Sequence, residues 1–360
     1  MSLNLRQKIA QMLCFGFNGA QWSDCHELKN WLDSQDGLGW LIEFDYDCHQ
    51  KAYGKNILSL EQLEILNRNI KDYYQKKHPT QLPLMLSIDV EGGRVDRLSK
   101  LKTYEQLPRA EEYKKMTIQQ RHLIWQRSAA LLKKLGFDLN FAPVVDLNLS
   151  PSEGIFGPLG RCFSDSPEEV IQMAEEYLDV LKEYGLMGCL KHFPGHGSAQ
   201  GDSHEGFVDV TSTFSYQEMI PYESLLEKPG LVECIMTAHV INRELDSSGL
   251  PATLSKTVLT DILRKRLNYQ GLIISDDLQM YAIAKNYSKE DALVYTIEAG
   301  ADIVMFCNQL GWDTPAEIIN IIEKMVKIGR IQENHIDAAY ERIAFHKQLR
   351  MDANDENTTD

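Results

Sequence analysis

Eight short apolar runs with helix-like patterns between them constrain this chain more than any other feature. They cover residues 12–17, 39–44, 84–89, 138–142, 187–191, 232–238, 271–275 and 302–306. Most are continuously apolar rather than alternating, as strands buried on both faces of a parallel sheet are. Between them the helix signals are explicit. Ser166 is an N-cap followed by Pro167 and the acids Glu168 and Glu169. Val170, Ile171, Ala174, Tyr177, Leu178 and Leu181 then keep a helical stripe that Gly185 ends. Thr117 to Leu135 ends similarly at Gly136, and Ser59 with Gln62 opens a helix over 60–74. Ser288 with Asp291 is a capping-box variant, and 255–267, 314–328 and 333–349 also suit helices. Strands and helices alternating in this way over 360 residues predict an α/β fold, a single (β/α)8 TIM-like barrel. The alternative is a doubly wound open sheet, but no GxGxxG follows the first run and no Walker sequence occurs.

Composition narrows the function classes. The net charge of −15 and pI of about 5.2 argue against a nucleic-acid surface. Residues 351–360 carry Asp352, Asp355, Glu356 and Asp360 with no base, so the expected organisation is a barrel over 1–350 and an acidic disordered tail over 351–360. No run approaches a membrane span, and Gln7, Lys8 and Gln11 interrupt any leader-like stretch at the N-terminus. Seven cysteines without a CxxC pair read as buried free thiols of a reducing compartment. A cytoplasmic protein that contacts neither nucleic acid nor membrane is expected.

Barrel chemistry gathers where the strands end. Here the runs end in Asp89 (followed by Glu91, Arg94 and Arg97), Asp146, Lys191-His192, His239, Asp276-Asp277 and Asn308. The densest segment is KHFPGHGSAQGDSH over 191–204, whose glycines and proline make it a loop, possible as a lid over 193–206. His192 and His196 have a zinc-helix spacing, but Pro194 and Gly195 spoil that geometry and HExxH is absent, so no metal is expected. Asp202 two residues before His204 can orient the imidazole and raise its basicity.

At these residues the chain resembles glycoside hydrolase family 3, and within it the bacterial β-N-acetylhexosaminidases. KHFPGHG with DSH carries the resemblance, joined by DVEGGRV at 89–95, FAPVVD at 141–146, GRCF at 160–163, MTAH at 236–239, SDDLQM at 275–280 and AGAD at 299–302. Val90 and Cys162 depart from the usual pattern. The resemblance implies a retaining, exo-acting hydrolase that removes terminal N-acetylglucosamine, with muropeptides as substrate and peptidoglycan recycling as context. It implies Asp276 as nucleophile, His204 as acid/base and Asp202 as its orienting partner. It implies Asp89, Arg97, Arg161, Lys191 and His192 as sugar-binding residues, and no cofactor. Asp146, His239 and Asp277 are expected in supporting roles, with only one of Asp276 and Asp277 facing the pocket because strand neighbours alternate. Related glucosidases carry a second α/β domain, which this chain is not expected to need. A phosphorylase acting on the same glycosides and an inactive sugar-binding barrel are the competing readings.

Overall fold

The computed structural model describes residues 3–152, 154, 156–200 and 208–356. The eight apolar runs are the eight strands of a closed parallel barrel: β1 (Leu13–Gly16), β2 (Trp40–Glu43), β3 (Met85–Ile88), β4 (Leu139–Asn140), β5 (Met187–Phe193), β6 (Cys234–Thr237), β7 (Leu272–Asp277) and β8 (Ile303–Phe306). Each strand pairs with its sequence neighbours, and β1 closes the ring by pairing with both β2 (Cys14 opposite Trp40) and β8 (Leu13 opposite Val304). Inside and around the ring, residues such as Phe15, Trp40, Phe141 and Ile273 are buried. Phe15 stacks on Phe306 across the closure, with ring centroids 5.3 Å apart.

Helix α1 (Leu5–Gln11) precedes the barrel, and α2 (His26–Leu32), α3 (Leu60–Lys77), α4 (Ile118–Lys134), α5 (Pro167–Glu183) and α6 (Ile220–Leu226) follow β1 to β5 in turn. A π-wound helix, Thr257–Arg266, follows β6. The short α7 (Tyr281–Ala284) and α8 (Lys289–Ala299) follow β7, and α9 (Pro315–Lys327) and α10 (Glu333–Glu356) follow β8. The caps are where the sequence places them. Ser59 and Thr117 form capping boxes with Gln62 and Gln120, and the Ser166 and Ser288 side chains accept the amides of Glu169 and Asp291. Gly185, at φ +67°, takes the left-handed conformation that releases the chain from α5 into β5.

Two expectations need correction. Helix α10 runs to Glu356, so the backbone of 351–356 is helical where a disordered tail was expected, and residues 357–360 lie outside the described residues. The physical reason is that neither glycine nor proline occurs after Glu333 to end the helix. Second, the thiols are free, but Cys48 is exposed while the other six are buried. Among the described residues, no helix is long and apolar enough to cross a membrane.

Helix α10 also seals the barrel's N-terminal end. The Lys347 ammonium is completely buried there and donates to Gln11 Oε1 (2.8 Å), the Gly39 carbonyl (2.9 Å) and the Pro83 carbonyl (2.8 Å). It also lies 4.8 Å from the centroid of the Trp40 ring. Burial pushes its pKa well below the usual lysine range. Replacing Lys347 by Ala strands those three acceptors, so urea denaturation of the variant should show a loss of about 3 kcal/mol.

Candidate active site

The opposite, C-terminal rim holds a cavity of about 350 Å³. Asp89 (after β3), Arg97, Arg161, Lys191 and His192 (on β5) and Asp276 (on β7) all line it. Phe44, Phe141 and Met305 supply apolar wall. Residues drawn from across nearly 190 positions of sequence meet here because parallel strands deliver all their C-terminal ends to one face.

The polar groups form a buried lattice of alternating charge. The Lys191 ammonium sits 2.9 Å from Asp89 Oδ1 and 2.6 Å from Glu91 Oε1. Arg161 grips Glu91 through both oxygens, Nε to Oε2 at 2.8 Å and Nη2 to Oε1 at 2.7 Å. Arg97 reaches Asp89 Oδ2 at 3.4 Å and lies over the Phe44 ring. Burial alone would raise Asp89, but Lys191 and Arg97 bring it down to about 2. Glu91 is likewise held below the usual carboxylate range, its burial outweighed by Arg161 and Lys191. Burial acts to lower Lys191, but Asp89 and Glu91 raise it, so it stays charged. The site is therefore a set of fixed ionic groups with spare donor and acceptor positions, suited to a neutral ligand rich in hydroxyls.

A second carboxylate organises the chain leaving β5. Asp146 is buried and its Oδ2 accepts from His192, at 2.7 Å from Nδ1 and 3.1 Å from the backbone amide. Its Oδ1 accepts the His196 amide at 2.8 Å. Burial pushes Asp146 up, and the His192 charge and hydrogen bond bring it below its ordinary value. Glu218 Oε2 accepts the amides of Gly197 (2.7 Å) and Ser198 (3.3 Å). The His196 ring packs on Phe156, with centroids 4.9 Å apart, and neither ring nitrogen has a partner among the described residues. Burial lowers its pKa to about 4, which favours the neutral ring. Asp202 and His204 lie outside the described residues. The flanks of that segment are anchored at this rim: Ala199 is buried on one side, and Val208 pairs with Val240, just beyond β6, on the other.

Strand alternation breaks at the end of β7. Asp276 and Asp277 both border the cavity, because the pairing with β8 slips register between Ile274 and Asp277 and breaks the period of two. The two carboxylates still differ. Asp277 Oδ1 accepts the amides of Gln279 (3.0 Å) and Cys307 (3.2 Å), and its carbonyl lies 2.9 Å from His239 Nε2. Burial, with Asp276 adding to it, pushes Asp277 up to about 7. Asp276 is more open, with its amide toward Thr237 Oγ1 at 3.4 Å. The motifs assign no role to Glu91 or Glu218, which pair with Arg161 and Lys191 and with the Gly197 and Ser198 amides. Glu91 stood in view inside the EGGR stretch, whereas nothing local in the sequence distinguishes Glu218.

Comparison with known proteins shows the family. The Glycosyl hydrolase family 3 N terminal domain matches residues 4–345. The chain is 34% identical over 263 residues to a beta-hexosaminidase of Idiomarina loihiensis, covering 71% of this chain and 75% of that protein. It is 32% identical over 267 residues to one from Psychromonas ingrahamii, covering 71% and 74%. Among solved structures it resembles a glycoside hydrolase family 3 beta-N-acetylglucosaminidase from Paenibacillus sp. str. FPU-7, with TM-score 0.85 and 28% identity. That match takes in 97% of this chain but 63% of the Paenibacillus chain.

Two outcomes follow from the charges. Glu91→Ala leaves Arg161 and part of Lys191 buried without a counter-charge, which should cost roughly 3 to 5 kcal/mol in chemical denaturation. Asp277 is raised from an ordinary value of 3.8 to about 7. Its contribution to stability is thus complete below the lower value and disappears as pH rises through the upper one. Between those limits the wild type should lose stability relative to Asp277→Asn, as melting temperatures across the pH range will reveal.

Proposed function

The chain belongs to glycosyl hydrolase family 3, and from that premise we propose that it is an exo-acting, retaining β-N-acetylglucosaminidase. The single observation carrying this reading is the gathering of Asp276 with Asp89, Arg97, Arg161, Lys191 and His192 around one small cavity. At about 350 Å³ it lies near the lower end of small-molecule sites, a size suited to one terminal sugar. Asp89 accepts from sugar hydroxyls, while Arg97, Arg161, Lys191 and His192 offer donors. None of these groups must reorganise to meet the ligand, since each is already held by a neighbour.

In this scheme the ionised Asp276 carboxylate attacks the anomeric carbon while His204 gives its proton to the departing oxygen. The first product leaves, and the sugar remains as an ester of Asp276. Water then attacks the same carbon, His204 takes its proton, and Asp276 is released with configuration retained. Asp202 orients the imidazole and stabilises its cationic form. A single histidine serves as acid and then as base, in place of the second carboxylate most retaining enzymes use. The substrates in this reading are N-acetylglucosamine-terminated muropeptides, in cytoplasmic recycling of the cell wall.

Release of p-nitrophenol from the aryl N-acetyl-β-glucosaminide, with little from the β-glucoside, is the expected result. Turnover of the glucoside alone would refute the sugar assignment. Asp276→Ala should lower kcat by on the order of ten-thousandfold. A fluorinated N-acetylglucosaminide should leave its covalent label on Asp276, detectable by peptide mass. Product analysis with added phosphate tests the transfer to water, because a sugar phosphate would mark a phosphorylase.

A further inference from the structure

Of the arginines and the lysine that line the sugar site, Arg97 is the least firmly held. Glu91 grips Arg161 at 2.7 and 2.8 Å, and Asp89 and Glu91 hold Lys191 at 2.9 and 2.6 Å. The Arg97 side chain makes one hydrogen bond among the described residues, a long one of 3.4 Å to Asp89 Oδ2, and its Nε is buried without a partner. Asp89 is also the acceptor that the glycosidase reading gives to a sugar hydroxyl. Its Oδ1 is engaged by Lys191, so Oδ2 is the oxygen open to that hydroxyl. Ligand and Arg97 therefore compete for one oxygen. A filled site needs another anchor for the guanidinium.

A second carboxylate is within reach. Asp45 Oδ1 lies 3.9 Å from Arg97 Nη1, while Asp89 meets Nη2, so the two acids take the two terminal nitrogens. The guanidinium also lies 5.1 Å from the centroid of the Phe44 ring. Asp45 is buried, and among the described residues its Oδ1 has no hydrogen-bond partner. Burial pushes Asp45 above the usual carboxylate range, and the Arg97 charge is the strongest influence against that rise. Phe44 and Tyr46 line the cavity and Asp45 between them does not, so its carboxylate bears on the arginine and not on the sugar.

The backbone fixes where Asp45 stands. Its carbonyl accepts the amides of Gly54 (2.6 Å) and Lys55 (3.3 Å), and the Phe44 amide donates to Asn56 Oδ1 (3.0 Å). Just beyond, Gln309 donates through Nε2 to the Tyr46 carbonyl (2.9 Å) and accepts the Cys48 amide at Oε1 (3.1 Å). A carboxylate on so constrained a turn is a fixed support for a mobile, half-buried arginine.

We propose that Asp45 is a positioning residue of the sugar site, holding Arg97 in place when ligand hydroxyls claim Asp89. The assignment rests on the glycosidase reading above and adds to it a residue that lies outside the family motifs. Asp45 acts through Arg97 and not on the bond being broken.

Steady-state kinetics on p-nitrophenyl N-acetyl-β-glucosaminide test this with Asp45→Asn, Arg97→Gln and the double variant. Asp45→Asn should raise KM roughly fivefold and leave kcat within about twofold, because a contact weakened equally in ground and transition states appears in KM alone. Adding Asp45→Asn to Arg97→Gln should raise KM no further, since the group through which Asp45 acts is already gone. Should Asp45→Asn alone fold poorly, the step from Arg97→Gln to the double variant still decides: an unchanged KM supports the positioning role, and a full fivefold rise overturns it. Unchanged kinetics in Asp45→Asn, or a fall in kcat at constant KM, overturns it as well and leaves the glycosidase reading intact. If the wild type releases no p-nitrophenol from this substrate, the glycosidase reading itself fails.

Discussion

The lattice of Asp89, Glu91, Arg161 and Lys191 is the interaction on which the rest of the rim depends. Each ion taken alone costs several kcal/mol to bury, and that cost is met only when all four come together. Lys191 is 102 residues from Asp89, and Arg161 is 70 from Glu91. Neither pair can form until β3, β4 and β5 lie side by side with the loops that leave them. The lattice is therefore a consequence of that assembly and also a check on it, because a slipped strand would leave charges unpaired in a dry interior. The same pairing keeps every group ionised and fixed, the condition a site needs to bind hydroxyls without rearranging.

Two further carboxylates extend this order along the chain that leaves β5. Asp146 holds His192 by ring and backbone and holds His196 by its amide, while Glu218 ties down Gly197 and Ser198. Backbone amides with no place in a regular element thereby find acceptors. The base of the segment that leads to Asp202 and His204 is in this way part of the rigid scaffold.

The two ends of the barrel divide the labour. At the N-terminal end, Lys347 on α10 closes the core by donating to three neutral acceptors. At the C-terminal end the ions face one another around open space. One end serves stability and the other chemistry, as parallel barrels in general arrange it.

The sequence by itself determined the strands and the longer helices with their caps, but not the short α1, α2, α6 and α7. Short continuous apolar runs separated by capped helical segments suit a two-sided parallel sheet, and caps such as Ser59 with Gln62 act within one turn. Motif residues told which polar groups would stand at the rim. Tertiary structure alone decided their partners. Glu91 became the partner of Arg161 and Lys191, Asp277 joined Asp276 at the cavity through a register slip, and Cys48 came to the cavity wall. The division has a physical origin. Propensity, capping and periodicity act over a few residues, whereas ion pairing, register and burial belong to groups far apart in sequence that meet only when the strands assemble.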